Sequence, residues 1–103
     1  MAQPYSLEAL FLCVLLRGPN NGSGIVAQLA ELDSDLHPGQ GATYPALRRL
    51  EEEGLATSKN VLPPADRGGR PRRFYALTPK GRRRATQLSR FFGALVASEL
   101  EAA

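Results

Sequence analysis

The stretch Gly41–Leu55, GATYPALRRLEEEGL, decides the fold. Thr43, Ala46, Leu47 and Leu50 recur at helical spacing, so one face of a helix is apolar. Tyr44, Arg48 and Arg49 fall on the other side. They bring a hydroxyl-bearing ring and two guanidinium groups, which suit phosphates and base edges. Glu51, Glu52 and Glu53 follow, and Gly54 supplies the left-handed stop that helix ends favour. Pro45 is expected in the first turn, where a missing amide proton costs little. Taken alone, the pattern fits a solvated surface helix equally well, so the flanking sequence has to decide.

Upstream, Ser6 is placed to cap a first helix over Leu7 to about Leu16. That helix is apolar almost all round and should be the most buried. Arg17–Gly22 is a turn by composition. Asn21 or Ser23 can cap a second helix over about Gly24–Leu32, with Ile25, Leu29 and Leu32 as a narrow inward stripe. Asp33–Gln40 is a polar connection containing His37. Downstream, a strand is expected over about Ala56–Leu62, ended by Pro63 and Pro64, with a mobile turn over Asp66–Pro71. A second strand covers Arg72–Leu77, with Arg73, Tyr75 and Leu77 on one face and Arg72, Phe74 and Ala76 on the other. Thr78 and Pro79 read as an N-cap and first helical position, opening a last helix that runs to about Glu101.

This order predicts a mainly α fold with a small two-stranded antiparallel hairpin. It is a winged helix-turn-helix followed by a long C-terminal dimerisation helix. Residues 1–78 would form the DNA-binding domain and residues 79–103 the dimerisation helix, joined as one compact unit.

The chain has 103 residues, enough for one domain, and a formal charge of +3. The placement of charge says more than its total. Residues 1–40 hold one basic side chain, Arg17, against Glu8, Glu31, Asp33 and Asp35. Residues 66–90 hold nine basic side chains against Asp66 alone. Such a skew points to an anionic partner at one end of the fold. The lone Cys13 lies in an apolar run and permits no intrachain disulfide, which agrees with a reducing cytoplasm. The run Ala9–Leu16 is too short to span a membrane and has no basic leader before it, so neither an anchor nor a signal peptide is expected. His37 has no second ligand near it, and no catalytic triad, cysteine pair, phosphate-cradling glycine loop or metal motif is present. No metal, cofactor or enzymatic activity is expected.

The candidate DNA-binding set follows from the third helix and the wing. Tyr44 and Arg48 are one turn apart, with Arg49 close beside them and Gln40, Ala42, Thr43 and Pro45 nearer the helix start. Thr43 shares the apolar stripe and so has a competing place in the core. Arg67, Arg70, Arg72 and Arg73 surround two glycines and a proline at the wing tip, where glycine allows close backbone approach and arginine suits a narrow minor groove. In the last helix, Leu88, Phe92, Leu95 and Glu99 follow a near-heptad path, with Phe91 and Val96 alongside. A domain this small cannot easily cover them, so that helix is the dimer candidate.

Three blocks resemble the PadR family of bacterial transcriptional regulators: LEALFLCVLLRGPNNGSGI (Leu7–Ile25), GATYPALRRLEEEGLA (Gly41–Ala56) and GGRPRRFYALTPKGRRR (Gly68–Arg84). They stand in the family's order and spacing. Where the family usually has Thr or Ser, then Leu or Val, before the Tyr-Pro pair, this chain has Ala42 and Thr43. The resemblance implies a winged-helix repressor whose Tyr44–Arg48 region faces double-stranded DNA, with Lys80 touching a phosphate. It implies a homodimer built from the last helix against the partner's first helix, drawing in Leu7 and Phe11. It also implies a small-molecule effector of unidentified chemistry. Tyr5, Phe11, Phe91 and Phe92 are the aromatic residues available to line a small pocket; with no tryptophan, a large one has little support.

Two other classes stay open at this level. One is an architectural or partition-type winged helix that coats DNA with little sequence preference. The other is a winged helix that binds only proteins. A specific regulator prefers one inverted repeat over a scrambled duplex at matched salt; a coater does not.

Overall fold

The computed structural model describes residues 6–63 and 68–102, with side chains to Ser98. The sequence expectations for Tyr5, Arg67 and Asp66 therefore lie outside the described residues.

Helix α1, Leu7–Leu15, begins where the Ser6 hydroxyl accepts the Ala9 amide at 3.1 Å. Phe11, Leu12, Val14 and Leu15 are buried, and Phe11 and Leu15 are almost wholly out of solvent. The chain turns through Gly18, at φ +130°, into a two-residue strand β1, Asn20–Asn21. Helix α2, Gly22–Leu32, is capped by the Asn21 side chain, which accepts the Gly24 amide at 2.7 Å. Ile25 and Leu29 enter the core, but Leu32, the helix's final residue, is 62% exposed. The expected inward stripe thus ends at Leu29, because the helix outruns the core it packs on.

Helix α3, Gln40–Glu52, buries Thr43, Ala46, Leu47 and Leu50, the stripe read from the sequence. It starts at Gln40, so Pro45 is its sixth residue and lies in the second turn, not the first. The missing amide there would have bonded the Gly41 carbonyl, and Gly41 is exposed, so water can take the bond's place. At the other end Gly54 adopts φ +74°. Its amide bonds the Glu51 carbonyl at 3.0 Å, and the Leu55 amide reaches back to the Leu50 carbonyl at 2.8 Å. These two bonds satisfy carbonyls that the helix end leaves open.

Strands β2, Ala56–Val61, and β3, Arg72–Leu77, pair antiparallel from Ala56↔Leu77 to Val61↔Arg72. The sheet has three strands, not two, in the order β1-β3-β2, because Asn20 and Asn21 pair with Tyr75 and Phe74. Two asparagines between a proline and a glycine carry turn chemistry and no strand propensity. Only tertiary pairing makes them a strand.

Helix α4, Pro79–Ala102, is capped by Thr78, whose hydroxyl accepts the Gly81 amide at 3.0 Å and donates to the Gly54 carbonyl at 2.6 Å. Ala85 is buried, Leu88 packs on the core, and Ser89 meets Cys13 at 3.6 Å across the α1 seam. Beyond that point Phe91, Leu95 and Val96 are exposed. No described helix is long and apolar enough to cross a membrane.

Gly81 is buried where α4 crosses the end of α3, and an added Cβ would sit 1.8 Å from the Leu55 carbonyl oxygen. Glycine to alanine inside a helix ordinarily gains about 1 kcal/mol. Here backbone must move, at a cost of roughly 1–3 kcal/mol or more. Gly81→Ala should therefore lower the midpoint of urea unfolding; a raised midpoint would show that the two backbones separate freely.

Candidate nucleic-acid interface

The two flanks of α3 differ in company. Tyr44, Arg48 and Glu51 lie at i, i+4 and i+7 on the flank beside the hairpin. Tyr44 is 47% exposed, and its ring rests against Gly22, where a Cβ would stand 3.3 Å from Cε1. The absence of a side chain at Gly22 thus leaves room for the ring to pack against the start of α2. Arg48 is exposed. Arg49 sits on the opposite flank, where its Nε pairs with the Glu8 carboxylate of α1. The expectation that Arg49 stands beside Tyr44 and Arg48 is corrected by this ion pair, which draws it towards α1.

Gln40, Ala42 and Pro45 are exposed at the start of α3. Thr43 is not: it is buried, and its hydroxyl donates to the Pro38 carbonyl at 3.5 Å. Its place in the apolar stripe prevails over the DNA-binding assignment. A groove of about 180 Å³ opens between α2 and α3, lined by Gly22, Ser23, Val26, Pro38, Gln40, Thr43 and Tyr44.

On the hairpin, Arg70, Arg72 and Arg73 are exposed. Arg73 reaches back to α3, its Nη2 3.9 Å from Glu51 Oε2. The same carboxylate oxygen accepts the Ser58 hydroxyl at 2.8 Å. Ser58 lies opposite Tyr75 in the ladder, so Glu51 touches both strands on the face that also carries the buried Tyr75. Burial pushes the Tyr75 phenol above its ordinary pKa, and the Glu51 charge adds to that; Arg73 pulls the other way.

Lys80 stands elsewhere. Its Nζ donates to the Glu53 carbonyl at 2.9 Å, at the C-terminal end of α3. That is nine residues, or about 13 Å of helix, beyond Tyr44. Its ammonium group stabilises a helix C-terminus, a role consistent with the helix dipole.

The apolar candidates divide in the same way. Phe91, Leu95 and Val96 are exposed, and Phe92 is half-buried with its ring edge-on to Phe91 at 5.7 Å. Leu7 and Leu88 are half-buried against the core. Phe11 is fully buried within its own fold, so it has no surface to offer a partner or an effector pocket. Among the described residues no group of three His, Cys, Asp or Glu side chains could hold a metal ion.

Sequence reasoning missed Glu8, Gly22, Glu51 and Ser58. Glu8 pairs across 41 residues of chain, which no local pattern reveals. Glu51 did carry a signal, its helical phase with Tyr44 and Arg48, but it reads as part of an acidic run.

A helix-turn-helix whose last helix stands beside an arginine-bearing hairpin is a winged helix-turn-helix domain. The sequence profile of the Transcriptional regulator PadR-like family matches residues 11–87, and the chain belongs to that family of regulators. Among solved structures it is similar to a PadR-like transcription factor from Bacteroides fragilis, at 29% identity, TM-score 0.66, with 91% of this chain and 89% of that chain covered. It is also similar to a PadR-like transcriptional regulator from Bacillus cereus, at 20% identity and TM-score 0.76, covering 93% of this chain and 89% of that chain. Bacillus subtilis PadR, solved in complex with operator DNA, shares the fold at 22% identity and TM-score 0.69, covering 82% of this chain and 47% of that one. No curated protein matches the sequence.

The Tyr75 phenol has a consequence for stability at high pH. Its pKa is raised in the folded chain above the unfolded value of about 10. Its contribution is therefore complete below about pH 10 and is lost as pH climbs through the folded value. Thermal melts between about pH 9 and pH 11 should fall more steeply for the wild type than for Tyr75→Phe; parallel curves would place the phenol in a solvent-like setting.

Proposed function

We propose that this chain is a homodimeric DNA-binding repressor that reads an inverted-repeat operator. In this reading α3 enters the major groove and the hairpin follows the adjoining backbone. The observation that carries it is the pairing of two exposed surfaces. Tyr44 and Arg48 stand open on the hairpin flank of α3, and Arg70, Arg72 and Arg73 are exposed on the hairpin beside it. Phosphate contacts from the arginines supply affinity and position, and groups on α3 supply base discrimination. Bacillus subtilis PadR, which shares the fold, was solved in complex with operator DNA, and that supports DNA binding by this chain.

The dimer part of the reading rests on α4. Phe91, Leu95 and Val96 are exposed on a helix whose N-terminal half is anchored to the core. A second copy packed on this face buries them, with residues 1–78 as the DNA-binding unit and residues 79–103 as the arm. Twofold symmetry then sets two α3 helices about one DNA turn apart, which fits an inverted repeat. Family resemblance adds release of DNA on binding an effector, whose chemistry remains to be found by ligand screening.

Selection of duplexes from a random pool should return two inverted half-sites at fixed spacing. On that site Arg48→Ala should cost about 1–3 kcal/mol and relax preference at one position of each half-site. Arg70→Ala should weaken selected and scrambled duplexes alike and lower the salt slope by about one. If both variants bind like the wild type, the face assigned to DNA is the wrong one. Equal binding of selected and scrambled duplexes by the wild type would favour a coating protein.

A further inference from the structure

Glu51 holds a negative charge where the proposed interface needs positive ones. It shares the α3 flank with Tyr44 and Arg48. Its Oε2 accepts the Ser58 hydroxyl at 2.8 Å and stands 3.9 Å from Arg73 Nη2. One carboxylate oxygen thus ties α3 to β2 and β3 together. The two partners hold it differently. Ser58 makes a short, part-buried hydrogen bond that fixes the carboxylate in place. Arg73 is at ion-pair distance only, and its side chain is 52% exposed. A contact of that kind is weak and exchangeable. Phosphate offers a guanidinium a stronger, two-pronged partner.

We propose that Glu51 is a built-in competitor for phosphate: anchored by Ser58, it occupies Arg73 in the free protein, and Arg73 reaches a nucleic-acid backbone only by leaving it. This rests on the reading of the hairpin as a DNA-contacting wing. Arg48 and Arg72 differ from Arg73 in this respect, since neither has an acidic partner among the described residues. The face made by α3 and the hairpin therefore carries open arginines and one that is held in reserve. Added salt screens the exposed Glu51–Arg73 pair as well as the phosphate contact, so the competitor weakens as binding does, and the salt dependence of binding is shallower than the number of arginines suggests.

The test is Glu51→Gln, which keeps an oxygen to accept from Ser58 and removes the charge. It is measured alone and in an Arg73→Ala background, with Ser58→Ala as a control for loss of the hydroxyl bond. Glu51→Gln should tighten binding to the selected duplex and to a scrambled one by up to about fivefold and steepen the salt slope by up to about one. Both gains should vanish in the Arg73→Ala background, as a double-mutant cycle requires of a direct pair. Ser58→Ala, which frees the carboxylate but keeps its charge, should lower the melting temperature and change the salt slope in the same direction as Glu51→Gln but by less. An unchanged slope in Glu51→Gln, or a gain that survives Arg73→Ala, overturns the proposal. Inorganic polyphosphate serves as a second probe that needs no operator. If the wild type binds no duplex, the regulator reading falls. The polyphosphate arm still decides Glu51 by the same two criteria: tightening in Glu51→Gln, and its loss with Arg73→Ala.

Discussion

The turn at Gly54–Leu55 is the point on which the remaining geometry depends. Leu55 closes α3 through its amide and accepts the Thr78 amide with its carbonyl at 3.1 Å. Thr78 bonds the Gly54 carbonyl and caps α4, Lys80 bonds the Glu53 carbonyl, and Gly81 lies against Leu55 itself. Within a few residues the end of α3, the base of the hairpin and the start of α4 are joined mostly through backbone groups. Such bonds leave little freedom, because each unpaired group in a half-buried site carries a desolvation cost. The direction of α3, the direction of the hairpin and the direction of α4 are consequently set by one junction. A glycine in the left-handed region and a glycine under a carbonyl are what allow it to close.

From that junction α3 carries one ion pair on each flank, giving a base to α1 and an acid to β3. On one flank Glu8 engages Arg49 from α1; on the other Glu51 engages Arg73 from β3. Both pairs are partly exposed, so neither adds much to stability. Their effect is on placement. Arg49 is drawn towards α1 and away from the surface where Tyr44 and Arg48 stand. A count of arginines overstates the charge that this face presents in the free protein.

The helices were legible because their causes are local. The period of Thr43, Ala46, Leu47 and Leu50, the Ser6 cap, the Thr78–Pro79 start and the Gly54 stop each act within one or two turns of chain. What escaped reading was set by distant chain. Strand β1 exists because Tyr75 and Phe74 present an open ladder edge to Asn20 and Asn21. The Asn20 side chain fills the space left by Gly24, where a Cβ would lie 2.0 Å from Oδ1. Thr43 and Phe11 were misplaced at the interface for a related reason. A pattern reveals which face of a helix is apolar, but not how deep within the fold each residue on it sits. The candidate site was legible in part. Charge composition identified the arginines, whereas the carboxylates that hold two of them lie across tertiary contacts.

The same distinction bears on α4, where burial changes along a single helix. Gly81 and Ala85 are inside, Leu88 is half-covered, and Phe91, Leu95 and Val96 are open to solvent. The helix does not change its pattern at that boundary, since apolar residues continue at helical spacing. What changes is the neighbour: α1 ends its packing near the Cys13–Ser89 contact, and α4 continues past it. The molecule measures 55 Å along its long axis against 29 and 23 Å across, the proportions of a small core with a projecting rod. An isolated rod of this kind exposes aromatic and aliphatic area that burial would stabilise at about 25 cal/mol per Å². A second copy, carrying the same unfinished face, is a complementary surface that is always present at equal concentration. In the proposed dimer, twofold pairing would close both faces at once, and the junction at Gly54–Leu55 would tie the separation of the two α3 helices to the crossing of the two α4 helices. Dimer geometry and half-site spacing become one structural quantity under this reading.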